Sequence, residues 1–523
     1  MPSKRRTKPN PSDILDCFGD STEIDSKFNF GLPGEVPGER STIACISIGD
    51  SSIRMLPDAR DGLTPLQRRI IYTMYEYKLV PPKRTNSARV VKGVFAKYHP
   101  EFPSPIYNAL VRMANPMVCR YPLLSPKGNF GDLDNGAASS AYTDVGLSAI
   151  ALQCLKELDF ETVDFVDSID GQNKEPCLLP STLPILLMNG VGHTKFDDKR
   201  IPRIPCHNFA ELCDAILAKI DNPDLTSKEL LRWCNGPDFP EGGTIVNGSD
   251  LAELYESGTG TLVMRGEAQI ELLPRDNSRH VIAVTSLPFM IGPEFFENEL
   301  RNLVRADEIA GISDISNDTT RHGVRVMIEL KSNVNPPKLL EELLHFTSLQ
   351  IEIPVNMLVM VHFSRRNAAG VNYAPRIASL AELIQCYIDY QSELVTNRIR
   401  FHLRNVYMLL PEIHELSKSE SVRDIFSQNA TTQLCVQKLT RILGISQDKA
   451  QVLALYNSFG SPTQERLAAA SNSLGAYSSP RDAAVAYERI LQTNSEILGI
   501  VKSQVLTLRN TFADRRRTKI CDD

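Results

Sequence analysis

The sequence predicts a multidomain α+β protein, and three observations carry that reading. The chain has 523 residues, room for about three or four units at ~100–200 residues per domain. Hydrophobic residues make up 42% and charged residues 23%, the balance of a folded chain rather than a disordered one. The texture also changes along the chain. Short helical patterns broken by Gly- and Pro-marked loops come first, strand-like runs mixed with helices follow, and the last third is helical.

Residues 1–41 are rich in Pro, Gly, Ser and charge and read as a flexible tail. In 42–166 the run Thr64-Pro-Leu-Gln-Arg-Arg-Ile-Ile-Tyr-Thr-Met-Tyr predicts a helix, with Thr64 as N-cap and Pro65 in the first turn. Leu66, Ile70, Met74 and Tyr77 would share its apolar face. In 167–360, GTLVMRGEAQIELL, HVIAVTSLP and GVRVMIELK are strand-like, and FFENELRNLVRA is an amphipathic helix among them. From about residue 376, IASLAELIQCYIDYQSELVTNRIRFHLRNVYMLL predicts a long helix that stops or kinks at Pro411. A compact helical stretch surrounds LTRILGISQDKAQVLALYNSF, and residues 482–515 predict a second long helix. Two long helices flanking a helical knob predict an antiparallel coiled-coil hairpin.

Composition excludes several classes. With 57 Lys and Arg against 63 Asp and Glu, the net charge is −6, so a nucleic-acid binder of this composition must concentrate its positive charge locally. No run approaches the ~20 apolar residues of a membrane span. The basic start MPSKRRTKPNPSD is not followed by an apolar run, so a secretory signal is not expected. The eleven cysteines include no CxxC pair, which argues against a zinc ribbon or disulfide framework and for thiols in a reducing cytosol. No GxxxxGK[ST] occurs, so no P-loop is expected.

Positive charge does concentrate in residues 54–100. Ten cations (Arg54, Arg60, Arg68, Arg69, Lys78, Lys83, Arg84, Arg89, Lys92 and Lys97) face three acids, Asp58, Asp61 and Glu76, a local excess of +7. That is the footprint of a DNA-facing surface, with a solvated basic helix face as the competing reading. Arg68 and Arg69 diverge by roughly 100° on a helix, so one can face phosphate while the other pairs with a carboxylate.

The same stretch resembles a known family. Arg54-Met-Leu-Pro-Asp-Ala-Arg-Asp-Gly-Leu-Thr-Pro-Leu-Gln-Arg-Arg is similar to the opening of the breakage–reunion core of type IIA DNA topoisomerase A subunits, those of DNA gyrase and topoisomerase IV. Ser87-Ala-Arg-Val-Val, Lys97-Tyr-His-Pro, Gly128-Asn-Phe-Gly and Ala141-Tyr-Thr-Asp follow in the family's order. So do Leu187-Met-Asn-Gly, Pro205-Cys-His-Asn, Gly236-Pro-Asp-Phe-Pro and Gly311-Ile-Ser-Asp. The resemblance implies a winged-helix cleavage domain over 42–166, a tower domain over 167–360, and a coiled coil with a helical exit gate for homodimerisation over 361–523. The family's C-terminal DNA-wrapping pinwheel is not expected in this sequence, which favours relaxation or decatenation over negative supercoiling.

It also implies a reaction. Tyr142 matches the nucleophile that joins the chain to a DNA 5′ end, and the phosphotyrosyl link conserves the energy of the cut phosphodiester. Arg60, Arg89 and His99 would hold the scissile phosphate, Lys97 and Arg69 would touch neighbouring phosphates, and Arg54, Arg68 and Thr143 complete the expected DNA contacts. The competing reading for these side chains is an ion pair with Asp58, Asp61 or Asp144, and for His99 a hydrogen-bonded structural histidine. Tyr121, after Arg120, matches an earlier noncatalytic pair. No metal site is expected on this chain. Mg²⁺ would sit on a partner's TOPRIM domain, and ATP would be hydrolysed by a GyrB- or ParE-like partner in an A₂B₂ complex on double-stranded DNA. The expected location is the cytoplasm, at the nucleoid, with no membrane association.

Three departures stand out. Ala141 replaces the family's arginine before the nucleophile. His99-Pro100-Glu101-Phe102-Pro103 replaces His-Pro-His-Gly-Asp. The small-residue loop bearing the family's base-wedging isoleucine is replaced by the longer, charged run from Gly192 to Ile201, where Phe196 or Ile201 would be the wedge or simple loop packing. In that run His193, Asp197 and Asp198 read as a solvated loop rather than metal ligands. Ser104 and Asn108 stand where the family's quinolone-contacting serine and acid lie. These departures support a second reading, a DNA-clamping paralogue with weak or no cleavage. A generic winged-helix regulator leaves the tower and coiled-coil motifs unexplained.

Overall fold

The computed structural model describes residues 56–98, 102–168, 171–192, 201–273, 276–320, 323–362, 373–427, 431–459, 471–472, 474 and 477–522. The expected tail over 1–41, Arg54, His99, Glu101, His193, Phe196, Asp197 and Asp198 lie outside them. The chain is a mixed α+β structure that divides into two compact units. One holds the chain up to Leu155 together with 166–387 and 508–523; the other holds 156–165 and 388–507.

The first unit opens on three helices, α1 (Pro65–Glu76), α2 (Ser87–Lys97) and α3 (Pro103–Ala114), and three short strands, β1 (Thr85–Asn86), β2 (Leu124–Lys127) and β3 (Asp144–Leu147). Thr64 and Gln67 close a capping box around the start of α1, and Pro65 occupies its first position, where a missing N–H costs nothing. Ile70, Ile71 and Met74 are buried beneath it. The strands form one antiparallel sheet in the order β1-β3-β2, with Asp144 paired to both Asn86 and Lys127.

Short elements follow: α4 (Ala149–Gln153), β4 (Phe165–Asp167), β5 (Lys174–Pro176), α5 (Ile185–Asn189), α6 (Phe209–Asp221), α7 (Ser227–Leu230), β6 (Thr244–Ile245) and α8 (Leu251–Ser257). The predicted strand runs then appear as β7 (Thr259–Arg265), β8 (Glu267–Leu273), β9 (Asp276–Ser286), β10 (Ile312–Asn317) and β11 (Val326–Leu330). GTLVMRGEAQIELL is split at Gly266, where a Cβ would stand 2.4 Å from the Ser286 carbonyl oxygen. The predicted amphipathic helix is α9 (Pro293–Arg305), which buries Phe296 and Leu300 with Ile282, Val284 and Ile328 of the sheet β10-β11-β9-β8. The helix α10 (Pro336–Phe346) adds Leu339 and Leu343 to this core. Then come β12 (Gln350–Asn356), β13 (Leu358–His362) and β14 (Tyr373–Ile377).

The second unit is helical. It contains most of α11 (Leu380–Met408), then α12 (Pro411–Lys418), α13 (Glu420–Ser427), α14 (Thr432–Leu443), α15 (Gln447–Phe459), α16 (Pro480–Gln492) and the greater part of α17 (Asn494–Phe512). Leu403, Val406, Tyr407, Leu439, Val452, Leu453 and Ala483 form its core. The predicted stop at Pro411 falls where α12 begins.

The second long helix predicted over 482–515 is corrected. It breaks at Thr493, whose backbone is extended (φ −124°, ψ 107°). The Thr493-Asn494-Ser495 run supplies side chains that compete for backbone hydrogen bonds and favour caps over helix interiors. Arg515, Arg516, Arg517 and Lys519 are not part of that helix. They lie beyond it in an extended tail that returns as β15 (Lys519–Ile520), parallel to β6, in the sheet β12-β7-β6-β15.

Candidate functional site

Tyr142 closes a single helical turn over Ser140–Tyr142, one residue before β3. Its side chain is 81% exposed, and among the described residues none hydrogen-bonds its hydroxyl. Its backbone, by contrast, is held on both sides. Asn86 Nδ2 donates to the carbonyl oxygens of Ala141 at 2.8 Å and Thr143 at 3.4 Å, while Asn86 Oδ1 caps α2 by accepting from Ala88 N–H at 3.1 Å. Ser87 N–H donates to the Thr143 carbonyl at 2.9 Å, and Tyr142 N–H to the Ser139 carbonyl at 2.8 Å.

Thr143, expected at the DNA, is fully buried. Its hydroxyl lies 2.9 Å from Ser87 Oγ and 3.0 Å from Tyr107 Oη, and Tyr107 Oη lies 2.6 Å from the Ala138 carbonyl oxygen. Its place is therefore beneath the Tyr142 backbone, because its hydroxyl finds partners inside that water could not better. Gly128 completes the fit. It has φ +106°, and a Cβ there would come 3.1 Å from the Tyr142 carbonyl oxygen. The result is an exposed phenol on a backbone held by hydrogen bonds. Asn86 and Tyr107 hold this backbone although no sequence pattern singles out their side chains for it. For Asn86 the available signal is an N-cap residue directly before the helical run.

The basic stretch is less free than its sequence charge suggests. Arg60 Nε and Nη2 meet the Asp58 carboxylate at 3.0 and 2.9 Å. Lys97 Nζ stands 3.2 Å from Glu76, and Arg69 forms a two-point contact with Glu175 at 2.6 and 2.8 Å. Arg68 donates to Asp61 at 2.7 and 3.1 Å. Asp61 is fully buried and also accepts from the backbone N–H groups of Leu63 and Leu179. Arg68 and Arg69 both meet carboxylates here, so either would leave its partner in order to face phosphate.

Magnitudes separate these pairs. A partly exposed pair such as Arg60–Asp58 or Lys97–Glu76 is worth about 0–1 kcal/mol and can exchange its carboxylate for a phosphate. Taking Arg68 from buried Asp61 removes the guanidinium that pairs its charge, at about 3–5 kcal/mol, so this pair is held far more firmly than the exposed ones. Lys78, Lys83, Arg84, Arg89 and Lys92 lie at the surface, with Arg89 also over the Tyr77 ring at 5.3 Å. Ser104 is exposed and Asn108 half-buried, one turn apart on α3. Ile201 is half-buried, and its carbonyl accepts from Asn356 Nδ2 at 3.0 Å.

The Arg120-Tyr121 pair occupies a different setting. Arg120 is buried and reaches Asp238 at 3.0 Å and Asp514 at 2.6 Å. The Tyr121 hydroxyl donates to Asp514 at 2.6 Å and accepts from Phe209 N–H at 2.9 Å. Burial, then the Asp514 bond, push its pKa well above the ordinary phenol range. Asn189 clasps its backbone, accepting from Tyr121 N–H at 2.7 Å and donating to the Tyr121 carbonyl at 2.9 Å. Burial opposes charge on Asp238, but backbone N–H groups of Thr518 and Arg517 and the Arg120 guanidinium outweigh it and hold the carboxyl below the usual range. His207 is fully buried, with Nδ1 3.0 Å from the Leu187 carbonyl and Nε2 2.7 Å from Tyr255 Oη. A carbonyl only accepts, so Nδ1 carries the proton and Nε2 accepts from Tyr255. Burial lowers the His207 pKa to about 4.

Among the described residues no three His, Cys, Asp or Glu converge to hold a metal ion. Among them, too, no helix is long and apolar enough to cross a membrane.

A family model described as the DNA gyrase/topoisomerase IV A subunit matches residues 54–503. The DNA gyrase A subunit of Staphylococcus aureus strain NCTC 8325 / PS 47 is 34% identical over 476 residues, covering 89% of this chain and 51% of that protein. Its counterpart in strain N315 is 33% identical over the same length and coverage, and that of strain MRSA252 is 33% identical with 52% of its length covered. The chain thus spans about half the length of the curated relatives it matches.

Proposed function

The chain belongs to the DNA gyrase/topoisomerase IV A-subunit family, and from that premise we propose that it is the DNA cleavage–religation subunit of an ATP-dependent type II topoisomerase. The observation that carries this reading is Tyr142, 81% exposed on a backbone gripped by Asn86, Ser87 and Thr143. A nucleophile needs access together with a fixed approach, and orientation set before the reaction contributes heavily to enzymatic rate.

In the proposed step Tyr142 Oη attacks a backbone phosphorus. An Oη–P bond forms and the P–O3′ bond breaks. The phenol loses its proton and the departing 3′ oxygen ends as a hydroxyl. One phosphate diester is exchanged for another, so the reverse reaction reseals the strand without fuel. Arg60 and Arg89, with His99, are proposed to hold the phosphate, Lys97 and Arg69 its neighbours, and Arg54 a further contact. On binding, Arg60 and Lys97 would release Asp58 and Glu76. The three helices and sheet β1-β3-β2 are proposed as the winged-helix domain, the sheets and helices of 167–360 as the tower, and 361–523 as the coiled coil and exit gate of a homodimer. Mg²⁺ and ATP are proposed to be held by a GyrB- or ParE-like partner in an A₂B₂ complex in the cytoplasm.

One observation favours the second reading, a DNA clamp with weak cleavage. The residue before the nucleophile is exposed Ala141, which contributes no charge where phosphate would bind. A detergent-quenched cleavage assay with the chain, its ATPase partner, Mg²⁺ and supercoiled plasmid decides between them. Linear DNA with protein on its 5′ ends establishes the enzyme. Intact plasmid at DNA concentrations that saturate binding establishes the clamp.

A further inference from the structure

The loop that delivers Tyr142 ends in a contact with a helix far away in the chain. Helix α9 begins at N-cap Gly292, which has no side chain to cap it, and continues with Pro293, which has no N–H. The next two backbone donors, Glu294 N–H and Phe295 N–H, are both taken by the Asp134 carboxylate, at 3.0 and 2.9 Å. Asp134 thus does from a distance what an N-cap side chain does locally, and its charge lies at the positive end of the helix dipole. The two arrangements exclude each other. A Cβ on Gly292 would stand 2.0 Å from Asp134 Oδ1 and 2.4 Å from its Cγ, and the three atoms nearest that Cβ all belong to the Asp134 carboxyl group. Gly292 has ordinary extended torsions (φ −82°, ψ 149°), so the glycine is needed for Asp134 alone and not for the turn.

From Asp134 the loop is continuous with the nucleophile through its own hydrogen bonds. Asp132 Oδ1 accepts from the N–H groups of Asp134 and Asn135 at 2.9 and 2.6 Å. Asp132 N–H donates to the Asn135 carbonyl at 2.9 Å, and Ala138 N–H to the Asn129 carbonyl at 3.0 Å. The Ala138 carbonyl accepts from Tyr107 Oη, which also contacts Thr143 beside Tyr142. We propose that Asp134 is a positioning residue for Tyr142: by capping α9 it anchors residues 129–142 to the α9 sheet layer, so that the placement of α9 sets the placement of the nucleophile. The catalytic part of this proposal rests on Tyr142 being the nucleophile.

The test separates the helix's need for a cap from the loop's need for an anchor. Asp134→Ala removes both. Gly292→Ser evicts Asp134 while giving α9 a cap of its own. The first readout is amide hydrogen exchange in the full chain without DNA, which requires no cleavage. Both variants should accelerate exchange across 129–142 by about tenfold or more, while Gly292→Ser leaves Glu294 and Phe295 protected. Unchanged exchange over 129–142 in both variants overturns the anchor and leaves Asp134 as a helix cap only. The second readout is the covalent fraction at saturating DNA. It should fall by about tenfold, with DNA affinity held within about twofold, and Asp134→Asn, which keeps one acceptor, should recover part of it. A loss that added DNA restores overturns the positioning role. A parent chain that forms no covalent complex counts against Tyr142 as nucleophile and leaves the exchange result to judge the anchor.

Discussion

Tyr121 and Tyr142 divide the roles available to a tyrosine between two regions of one molecule. Tyr121 follows an arginine, and its hydroxyl is shared between Asp514 and Phe209 N–H in a buried network with Arg120 and Asp238. Tyr142 follows an alanine, is 81% exposed, and among the described residues is held through its backbone. The Arg-Tyr dipeptide therefore marks the buried tyrosine and not the exposed one. A phenol with its lone pair and proton engaged in a desolvated site is a structural element, and a phenol presented to solvent from a rigid turn is available to a substrate.

Breaking that contrast has graded consequences. Tyr142→Phe should abolish the covalent DNA adduct, by at least about 10³-fold, while DNA affinity stays within a few-fold; an adduct that persists on gel electrophoresis would remove Tyr142 from the reaction. Arg120→Ala should leave Asp238 buried and unpaired and cost about 3–5 kcal/mol, read as a lower denaturant midpoint in the full chain. A loss within experimental error would mean that the tail from Asp514 onward does not depend on this pair.

His207 makes the buried region sensitive to acid. Its folded pKa of about 4 lies below the ordinary 6.5, so the unfolded chain binds the extra proton. Its contribution, about 3 kcal/mol, is fully present above about pH 6.5 and is lost as pH falls towards 4. His207→Asn should flatten stability against pH across that window, and an unchanged slope would assign the acid sensitivity to other groups. Ala141→Arg adds a cation beside Tyr142 and should raise the covalent fraction roughly tenfold to a hundredfold. No gain would mean that another cation already serves that phosphate. Tyr121→Phe should have the smallest effect, about 1–2 kcal/mol of stability for its hydrogen bonds, with cleavage unchanged. A cleavage defect at unaltered stability would erase the division between the two tyrosines.

Much of the site was legible in local patterns, and its limits follow from the same physics. Thr64, Pro65 and Gln67 announce the start of α1, because a capping box is written within four consecutive residues. The strand runs of β7, β9 and β11 announce themselves by composition. The order of motifs led to Tyr142. What local patterns did not show was the pairing of distant side chains. Arg69 is paired with Glu175, more than a hundred residues on, and Thr143 points inward because Ser87 and Tyr107 happen to surround it. Neither partner is within reach of a periodicity argument, which sees only neighbours one turn or one pleat away.

The sequence by itself determined the long helix α11, the amphipathic α9, the strand runs of β7, β9 and β11, where α1 and α12 begin, and which family the chain belongs to, since these depend on residue type and short spacing. Only the tertiary structure decided which cations remain available to phosphate, that residues 513–518 leave the helix to bind Asp238, and that Asp134 caps a helix beginning at Pro293. Those choices rest on contacts between residues far apart in the chain. Their energies depend on burial and on partners brought together only when the whole fold closes.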